Sequence, residues 1–423
     1  MVETSRRSSV LDGQAAIQAD LEDLYRDLHA HPELSMQEHR TAARAAERLR
    51  AAGCAVTTGV GGTGVVGVLS NGDGPTVMLR ADMDALPVRE ATGLPYASTA
   101  TAVDADGHEV PVMHACGHDM HVTWLAGAMA LLTGARDGWA GTVLAVFQPA
   151  EETAQGAQAM IDDGLFERFP QPRVILGQHV MPGPAGEIGY RSGTTQAAAD
   201  SLQVRLFGRG AHGSMPESSV DPVVMAAATV MRLQTIVSRE VAASQAAVVT
   251  IGAVQAGTKD NVIPDEALLK LNVRTFDATT RTRVLDAITR IVEAEATASG
   301  APRPPEITTT ERYPLTVNDP AWTARVAAAM RRRFGDDHVH QLAVPYSASE
   351  DFGSFGTQWD VPSVFWYVSG TDPDAYREAA RSGRVRQDVP TNHNARFAPV
   401  IHPTLATGVQ AITVAALDAL RPS

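Results

Sequence analysis

Eight consecutive residues, His114-Ala-Cys-Gly-His-Asp-Met-His121, carry three histidines, a cysteine and an aspartate, and they lead directly into the apolar run 122–132. Cys116 and His118 stand two apart, which does not place them on one helix face, where neighbours are three or four residues apart. A loop that turns sharply at Gly117 can aim both inward, and thiolate plus imidazole suits borderline-soft divalent metals. The same residues also fit a buried free cysteine beside a helix start, with Asp119 as the N-cap and histidines on the surface. The rest of the chain has to separate the two readings.

Three apolar, β-type runs end in groups that could serve the same centre. Residues 76–79 lead into Arg80-Ala-Asp82-Met-Asp84-Ala-Leu-Pro87. Open α/β sheets bind ligands at the carboxyl ends of their strands. Asp82 is therefore a candidate to orient a metal-bound histidine through its free ring N–H, with a structural Arg–Asp pair as the alternative. Residues 142–147 end in Gln148-Pro-Ala-Glu151-Glu152. Neighbours in an extended loop point apart, so one glutamate can bind metal while the other acts as general base. An acidic first turn of a helix over 153–162 accounts equally well for that pair alone. Residues 174–177 end at Gln178-His179-Val180. Metal-competent side chains at the ends of several strands favour the metal reading.

Periodicity predicts a helix over 14–52, interrupted at His29-Ala-His31-Pro32-Glu33, since proline disfavours helix in the residue before it. His29 and His31 read as a hydrogen-bonded structural element and are left out of the site. From about residue 196 the pattern changes. Strands over 201–207, 247–254, 267–276 and 307–310, with helices over 221–241 and 279–297, give a β-α-β-β-α-β order, the ferredoxin-like arrangement. Residues 196–311 are thus expected to form an inserted domain. Its glycine-rich loop carries His212, either a solvated turn residue or a group that polarises a substrate carbonyl. Its last long strand carries Arg274, a fork suited to a carboxylate or to a structural salt bridge. Beyond the insert the pattern of the first part returns: a helix over 322–334, the acidic loop Ser347-Ala-Ser-Glu-Asp-Phe352, a strand over 362–368, the isolated His393 and a helix over 403–420.

A chain of 423 residues is long enough for two domains. A net charge of -13 leaves no basic field for a nucleic-acid backbone. Two cysteines, Cys54 and Cys116, exclude a disulfide framework. No apolar run approaches membrane-spanning length, and residues 1–10 lack the apolar stretch of a signal peptide, so a soluble cytoplasmic protein is expected.

The ordered set His31-Pro-Glu-Leu, Arg80-Ala-Asp-Met-Asp-Ala-Leu-Pro, Cys116-Gly-His-Asp, Pro149-Ala-Glu-Glu, His179, Ser349-Glu-Asp-Phe and Asn392-His393 resembles the M20 metallopeptidase family. It is most similar to the amidohydrolase branch with hippurate hydrolases, N-acyl-amino-acid hydrolases and plant auxin-conjugate hydrolases. Each motif is weak alone; seven in order, from about residue 20 to 420, are specific. The resemblance implies an α/β fold with a mixed-sheet, zinc-peptidase-like catalytic domain over 1–195 and 312–423. The ferredoxin-like insert at 196–311 would serve as lid and dimerisation domain. It implies two divalent ions per subunit, Mn2+ or Zn2+, with Cys116, His118, Glu152, His179 and His393 as ligands. A metal-activated water with Glu151 as general base would hydrolyse the amide of an N-acyl amino acid. His212 would be lent to the neighbouring subunit of a homodimer, and Asn261 and Arg274 would bind the substrate carboxylate. The wider family has a ligand histidine where Arg80 stands, and the amidohydrolase branch departs in the same way. A dipeptidase or a succinyl-diaminopimelate-type deacylase on the same scaffold is the alternative, and a metal-binding protein without catalysis is a third possibility.

Overall fold

The structure, a computed structural model, describes residues 10–422. The terminal segment 1–9, which bears most of the stretch expected to lack a signal peptide, lies outside the described residues. The chain divides into two compact units. The first takes the chain up to Thr195, then Val317–Val344, and everything from Asp351; the second is Gln196–Thr316 with Pro345–Glu350.

In chain order the first unit opens with α1 (Gln14–Ala30) and α2 (His39–Ala51), followed by β1 (Ala55–Val60), β2 (Gly64–Asn71) and β3 (Thr76–Asp82). Helix α3 (His118–Gly134), β4 (Gly141–Gln148), β5 (Ile175–Pro184) and β6 (Ile188–Tyr190) come next. The second unit contributes β7 (Ala198–Phe207), α4 (Pro222–Thr235), β8 (Ala247–Ala256), β9 (Glu266–Thr275), α5 (Ala278–Ala298) and β10 (Glu306–Tyr313). The chain returns to the first unit with α6 (Pro320–Phe334), β11 (Val339–Gln341), β12 (Ser363–Thr371) and α7 (Ile401–Ala419).

The first unit is built on an eight-stranded mixed sheet in the order β1-β2-β4-β3-β5-β12-β6-β11. Its centre, β4-β3-β5-β12, is parallel, and these strands are buried along nearly their whole length. Parallel strands covered on both faces read as continuous apolar runs, which explains why their sequences do not alternate. Helix α3 is apolar on almost every side and buried accordingly. It packs against α1 and α7, with Trp124 fully buried, where each large apolar side chain removed from water contributes roughly 1.5–3 kcal/mol.

Register then decides what meets at the strand ends. Asp82 lies opposite Gln148, and Arg80 opposite Gly177. The ends of β3 and β4 and the middle of β5 are therefore side by side. His179 sits inside β5 rather than at its end. The strand continues because β12 still pairs with it as far as Thr371↔Pro184, whereas the ladder to β3 stops at Gly177.

The helix expected over 153–162 forms only at Gly156–Asp162. Ala150 and Ala154 have φ of 47° and 56°, a left-handed backbone that no α-helix accommodates. The pair Glu151-Glu152 therefore occupies a turn and not a helix start. Strands β1, β6 and β11 are not evident from periodicity, being short or polar.

The second unit is a four-stranded antiparallel sheet, β8-β9-β7-β10, with the β-α-β-β-α-β order of a ferredoxin-like fold. Leu269, Val204, Val284, Ile288 and Met225 are part of its own core. Asp221 and Asp277 cap α4 and α5 by accepting the amides of Val223 and Thr280. Among the described residues no helix is long and apolar enough to cross a membrane.

Candidate metal centre

Gly117, at φ 87°, is the N-cap of α3, so the chain turns between Cys116 and His118. A Cβ at this position would stand 2.4 Å from Val180 Cγ1, so glycine is required both by its φ and by the closeness of β5. Cys116 and His118 are both buried, with His179 of β5 facing them. Cys116 Sγ is 3.4 Å from His179 Nε2. His118 Nε2 lies 3.8 Å from Glu152 Oε1 and 4.0 Å from Glu151 Oε2. His393 Nε2 lies 3.4 Å from Glu152 Oε2.

Donor atoms of Cys116, His118 and His179 all lie within 4.8 Å of one another, and so do those of Cys116, Glu152 and His393. The two trios share Cys116. Every residue named above as a metal ligand is thus in one cluster, although the residues span positions 116 to 393. His393, at φ 68°, is tied in through its backbone: its amide donates to Ala115 O at 2.8 Å. The neighbouring Asn392 side chain donates to Cys116 O and Val180 O, each at 3.1 Å.

Hydrogen bonds decide which histidine nitrogens are open. His179 Nδ1 donates to Val180 O at 2.7 Å, leaving Nε2 toward Cys116. His118 Nδ1 faces Asp84 Oδ1 at 3.2 Å, and its buried Nε2 has no hydrogen-bond partner. His121 is different. Its Nε2 accepts the Val180 amide at 2.8 Å, so its proton sits on Nδ1, 2.5 Å from Asp82 Oδ1. Donor atoms of His121, Asp82 and His118 also lie within 4.8 Å of one another, but both His121 nitrogens are already engaged, and the ring braces β5.

The roles of the two aspartates after β3 are therefore divided. Asp82, read from the sequence as the group orienting a metal-bound histidine, bonds His121 and lies 3.9 Å from His118 Nε2. It also pairs with Arg80, whose guanidinium reaches Gln148 Oε1 at 2.8 Å and Asp351 Oδ1 at 3.0 Å. The hydrogen bond to His118 Nδ1 belongs to Asp84, which also accepts the Glu152 amide at 2.9 Å and Ser35 Oγ at 2.7 Å. Asp84 is visible in the motif but carries no signal that sets it apart from Asp82. Replacing it tests the assignment. Asp84→Asn should weaken divalent-metal binding about 10- to 100-fold in a calorimetric titration with Mn2+. Unchanged affinity would show that the His118 tautomer is set by another group.

The electrostatics ask for a cation. Burial, together with Glu152, Glu151 and Asp82, pushes the Cys116 thiol well above its ordinary range. Burial disfavours charge on His118, yet Asp82, Asp84 and Glu152 hold it up to about 10. Burial and His121 keep His179 well below the usual imidazole range. Buried His118 Nε2 and Glu152 Oε1, 3.8 Å apart, both lack a hydrogen-bond partner, and such atoms are costly unless something satisfies them. A mixed sulfur, nitrogen and carboxylate donor set fits Zn2+ or Mn2+ class ions.

His29, expected to be structural, is fully buried on α1, with Nδ1 2.7 Å from Asp119 Oδ2 and Nε2 3.1 Å from Glu90 Oε1. It holds the residue after His118, and Asp119 is neither N-cap nor exposed. The exposed His31 bonds Asp27 O.

Three predicted residues belong to the second unit. His212 is exposed, and its Nδ1 accepts the Ser214 amide at 3.1 Å, so in the neutral ring Nε2 carries the proton. The adjacent Gly213 amide donates to Asn261 O at 2.8 Å, which places Asn261 beside His212. Arg274 on β9 donates to Ser349 Oγ at 2.7 Å and to Asn272 Oδ1 at 3.0 Å.

The chain is similar over most of its length to known proteins. Residues 78–381 match the family model for peptidase family M20/M25/M40. The chain is 39% identical to the hippurate hydrolase of Campylobacter jejuni, over 80% of this chain and 85% of that protein. It is 35% identical to the N-acetyl-L-cysteine deacetylase of Bacillus subtilis, over 82% of each. The crystal structure of the Bacillus subtilis YXEP protein, a dinuclear metal-binding peptidase of the M20 family, superposes with a TM-score of 0.75 at 29% identity, covering 96% of this chain and 99% of that one. With its donors clustered beside the ends of β3 and β4 and the middle of β5, and with this extent of similarity, the chain belongs to peptidase family M20/M25/M40 and resembles its amidohydrolase branch.

Proposed function

We propose that this protein hydrolyses the amide bond of N-acyl amino acids, of the hippurate or N-acetyl-amino-acid type. In this reading Cys116, His118, Glu152, His179 and His393 hold two divalent cations, Mn2+ or Zn2+, and Glu151 is the general base. The observation that carries it is the pair of donor trios sharing Cys116, with Glu151 Oε2 at 4.0 Å from His118 Nε2, a buried nitrogen without a hydrogen bond. The names of the relatives support the substrate class: one acts on hippurate, another removes acetyl from N-acetyl-L-cysteine.

When bound, the cations supply Lewis acidity that polarises the amide carbonyl and lowers the pKa of water. Glu151 accepts a proton from the attacking water and delivers it to the departing amine nitrogen. Asp84 holds His118 in the tautomer that leaves Nε2 open, and His121 and Val180 keep β5 and His179 in place. His212, with its proton on Nε2, is suited to donate to the substrate carbonyl oxygen as it gains negative charge. Asn261 and Arg274 are assigned to the substrate carboxylate. A homodimer formed through the second unit belongs to the same reading, supported by the exposed Val224 and Met231 on α4.

A panel of N-benzoyl, N-acetyl and N-succinyl amino acids with simple dipeptides, assayed on Mn2+- and Zn2+-loaded protein, tests the proposal. Cleavage of N-acyl amino acids at least about tenfold faster, by kcat/KM, than dipeptides is expected, a difference of about 1.4 kcal/mol in transition-state binding. Preference for dipeptides would transfer the protein to the peptidase reading. No hydrolysis of any amide would leave a metal-binding protein without catalysis.

A further inference from the structure

The segment after α1 does more than break a helix. Glu38 lies at its end and is fully buried. Its Oε1 accepts the backbone amides of Ala150 at 2.8 Å and Met36 at 2.9 Å, and its Oε2 accepts Thr63 Oγ1 at 2.5 Å. Ala150 immediately precedes Glu151. On the other side of Glu151, the Glu152 amide donates to Asp84 Oδ2, which Ser35 Oγ also holds. The two loops are bound together, since the Ala85 amide donates to Glu33 O at 2.8 Å. Two buried carboxylates thus grip the peptide N–H groups at the positions before and after Glu151.

The gripped turn is not one the backbone adopts unaided. Ala150 has φ 47°, in the left-handed region, and its carbonyl accepts the amides of Gln155 and Gly156. The turn is so tight that a Cβ on Gly156 would lie 1.5 Å from Pro149 O. Strained, non-glycine residues of this kind persist only where the surroundings over-determine them. Burial, with the Asp84 carboxylate beside it, also pushes Glu38 up to about 7. The fold therefore keeps a carboxyl group where its charge is disfavoured, although apolar packing alone would not need one there.

We propose that Glu38 is a positioning residue for the hydrolysis: together with Asp84 it clamps the peptide groups flanking Glu151 and so aims the base carboxylate. The inference rests on Glu151 being the base. What the clamp needs at position 38 is the Oε1 acceptor, not the negative charge. A glutamine presents the same oxygen to both amides and its NH2 to Thr63, whereas an alanine leaves two buried amides without a partner.

The test compares Glu38→Ala, Glu38→Gln, Glu151→Gln and the double variant Glu38→Ala/Ala150→Gly. Each is measured for kcat and KM on the N-acyl amino acid the wild type cleaves fastest, for Mn2+ affinity by calorimetry, and for melting temperature. A misplaced catalytic group costs on the order of a hundredfold, so Glu38→Ala should lose about 30- to 100-fold in kcat. Its KM should stay within about twofold and its Mn2+ affinity within about threefold of wild type, because Glu38 bonds no donor atom of either trio and Asp84 still holds the Glu152 amide. Glu38→Gln should stay within about fivefold of wild-type kcat, since a neutral acceptor replaces a charged one.

The double variant separates aim from stability. Glycine adopts a left-handed φ without penalty, so Ala150→Gly should restore melting temperature to a Glu38→Ala protein that folds poorly, while kcat remains low. Return of kcat together with melting temperature would overturn the proposal. So would a Glu38→Ala kcat within about threefold of wild type, far short of the cost of a misaimed group, or Glu38→Gln as slow as Glu38→Ala. If Glu151→Gln is inactive while Glu38→Ala is not, the clamp alone fails. If Glu151→Gln remains active, the reading of the base fails and takes the clamp with it.

Discussion

Glu151→Gln is expected to keep its metal and lose turnover by about a hundred- to ten-thousand-fold, the usual contribution of general acid–base catalysis. The substitution keeps the shape of the side chain and removes only its ability to take a proton. Metal retention follows from the geometry, because both trios that share Cys116 are complete without Glu151. Elemental analysis of the purified variant, beside kcat for the best N-acyl amino acid, measures both halves. Turnover above about a tenth of wild type would end the assignment, being far below what a general base contributes. Loss of one metal equivalent would instead make Glu151 a ligand, a role allowed by its place beside His118 and Glu152.

Stripping divalent ions should abolish hydrolysis, and adding back Mn2+ or Zn2+ should restore it. Without a cation the site can only neutralise itself. His118, held up to about 10 by Asp82, Asp84 and Glu152, keeps a proton on the nitrogen that would face metal, and Cys116 stays a thiol. Binding must displace such protons, so metal affinity should weaken as pH falls. The same linkage predicts a drop in melting temperature on chelation. At free metal of a hundred times Kd, one site stabilises the fold by about 2.7 kcal/mol. Thermal melts and activity with and without chelator, repeated at pH 6 and pH 8, read out both effects. Full activity after exhaustive chelation would remove metals from the mechanism.

Much of this arrangement could be read along the chain. The central strands announce themselves as apolar runs because both of their faces are covered. The residues that follow them inherit a place at the sheet's ligand-binding end. Gly117 could be identified as the pivot between Cys116 and His118 because residues two apart do not share a helix face, and glycine permits the sharp turn that can aim both inward. The second unit's order of elements was legible from period and turns alone. The acidic pair Glu151-Glu152 was ambiguous, since a helix start and a non-helical turn look alike until the backbone of Ala150 and Ala154 is known.

The chain alone thus determined which chemical groups are available and which strands deliver them, because local periodicity and side-chain chemistry are properties of short segments. Tertiary structure alone decided how those groups are used. Asp82 and Asp84 are two apart with the same side chain, and only the neighbours that packing brings, Arg80 and His121 for one and His118 and the Glu152 amide for the other, give them different work. His118 and His121 are separated in the same way, by which nitrogen Val180 already occupies. Such distinctions depend on hydrogen bonds between residues tens to hundreds of positions apart, and no local pattern encodes them.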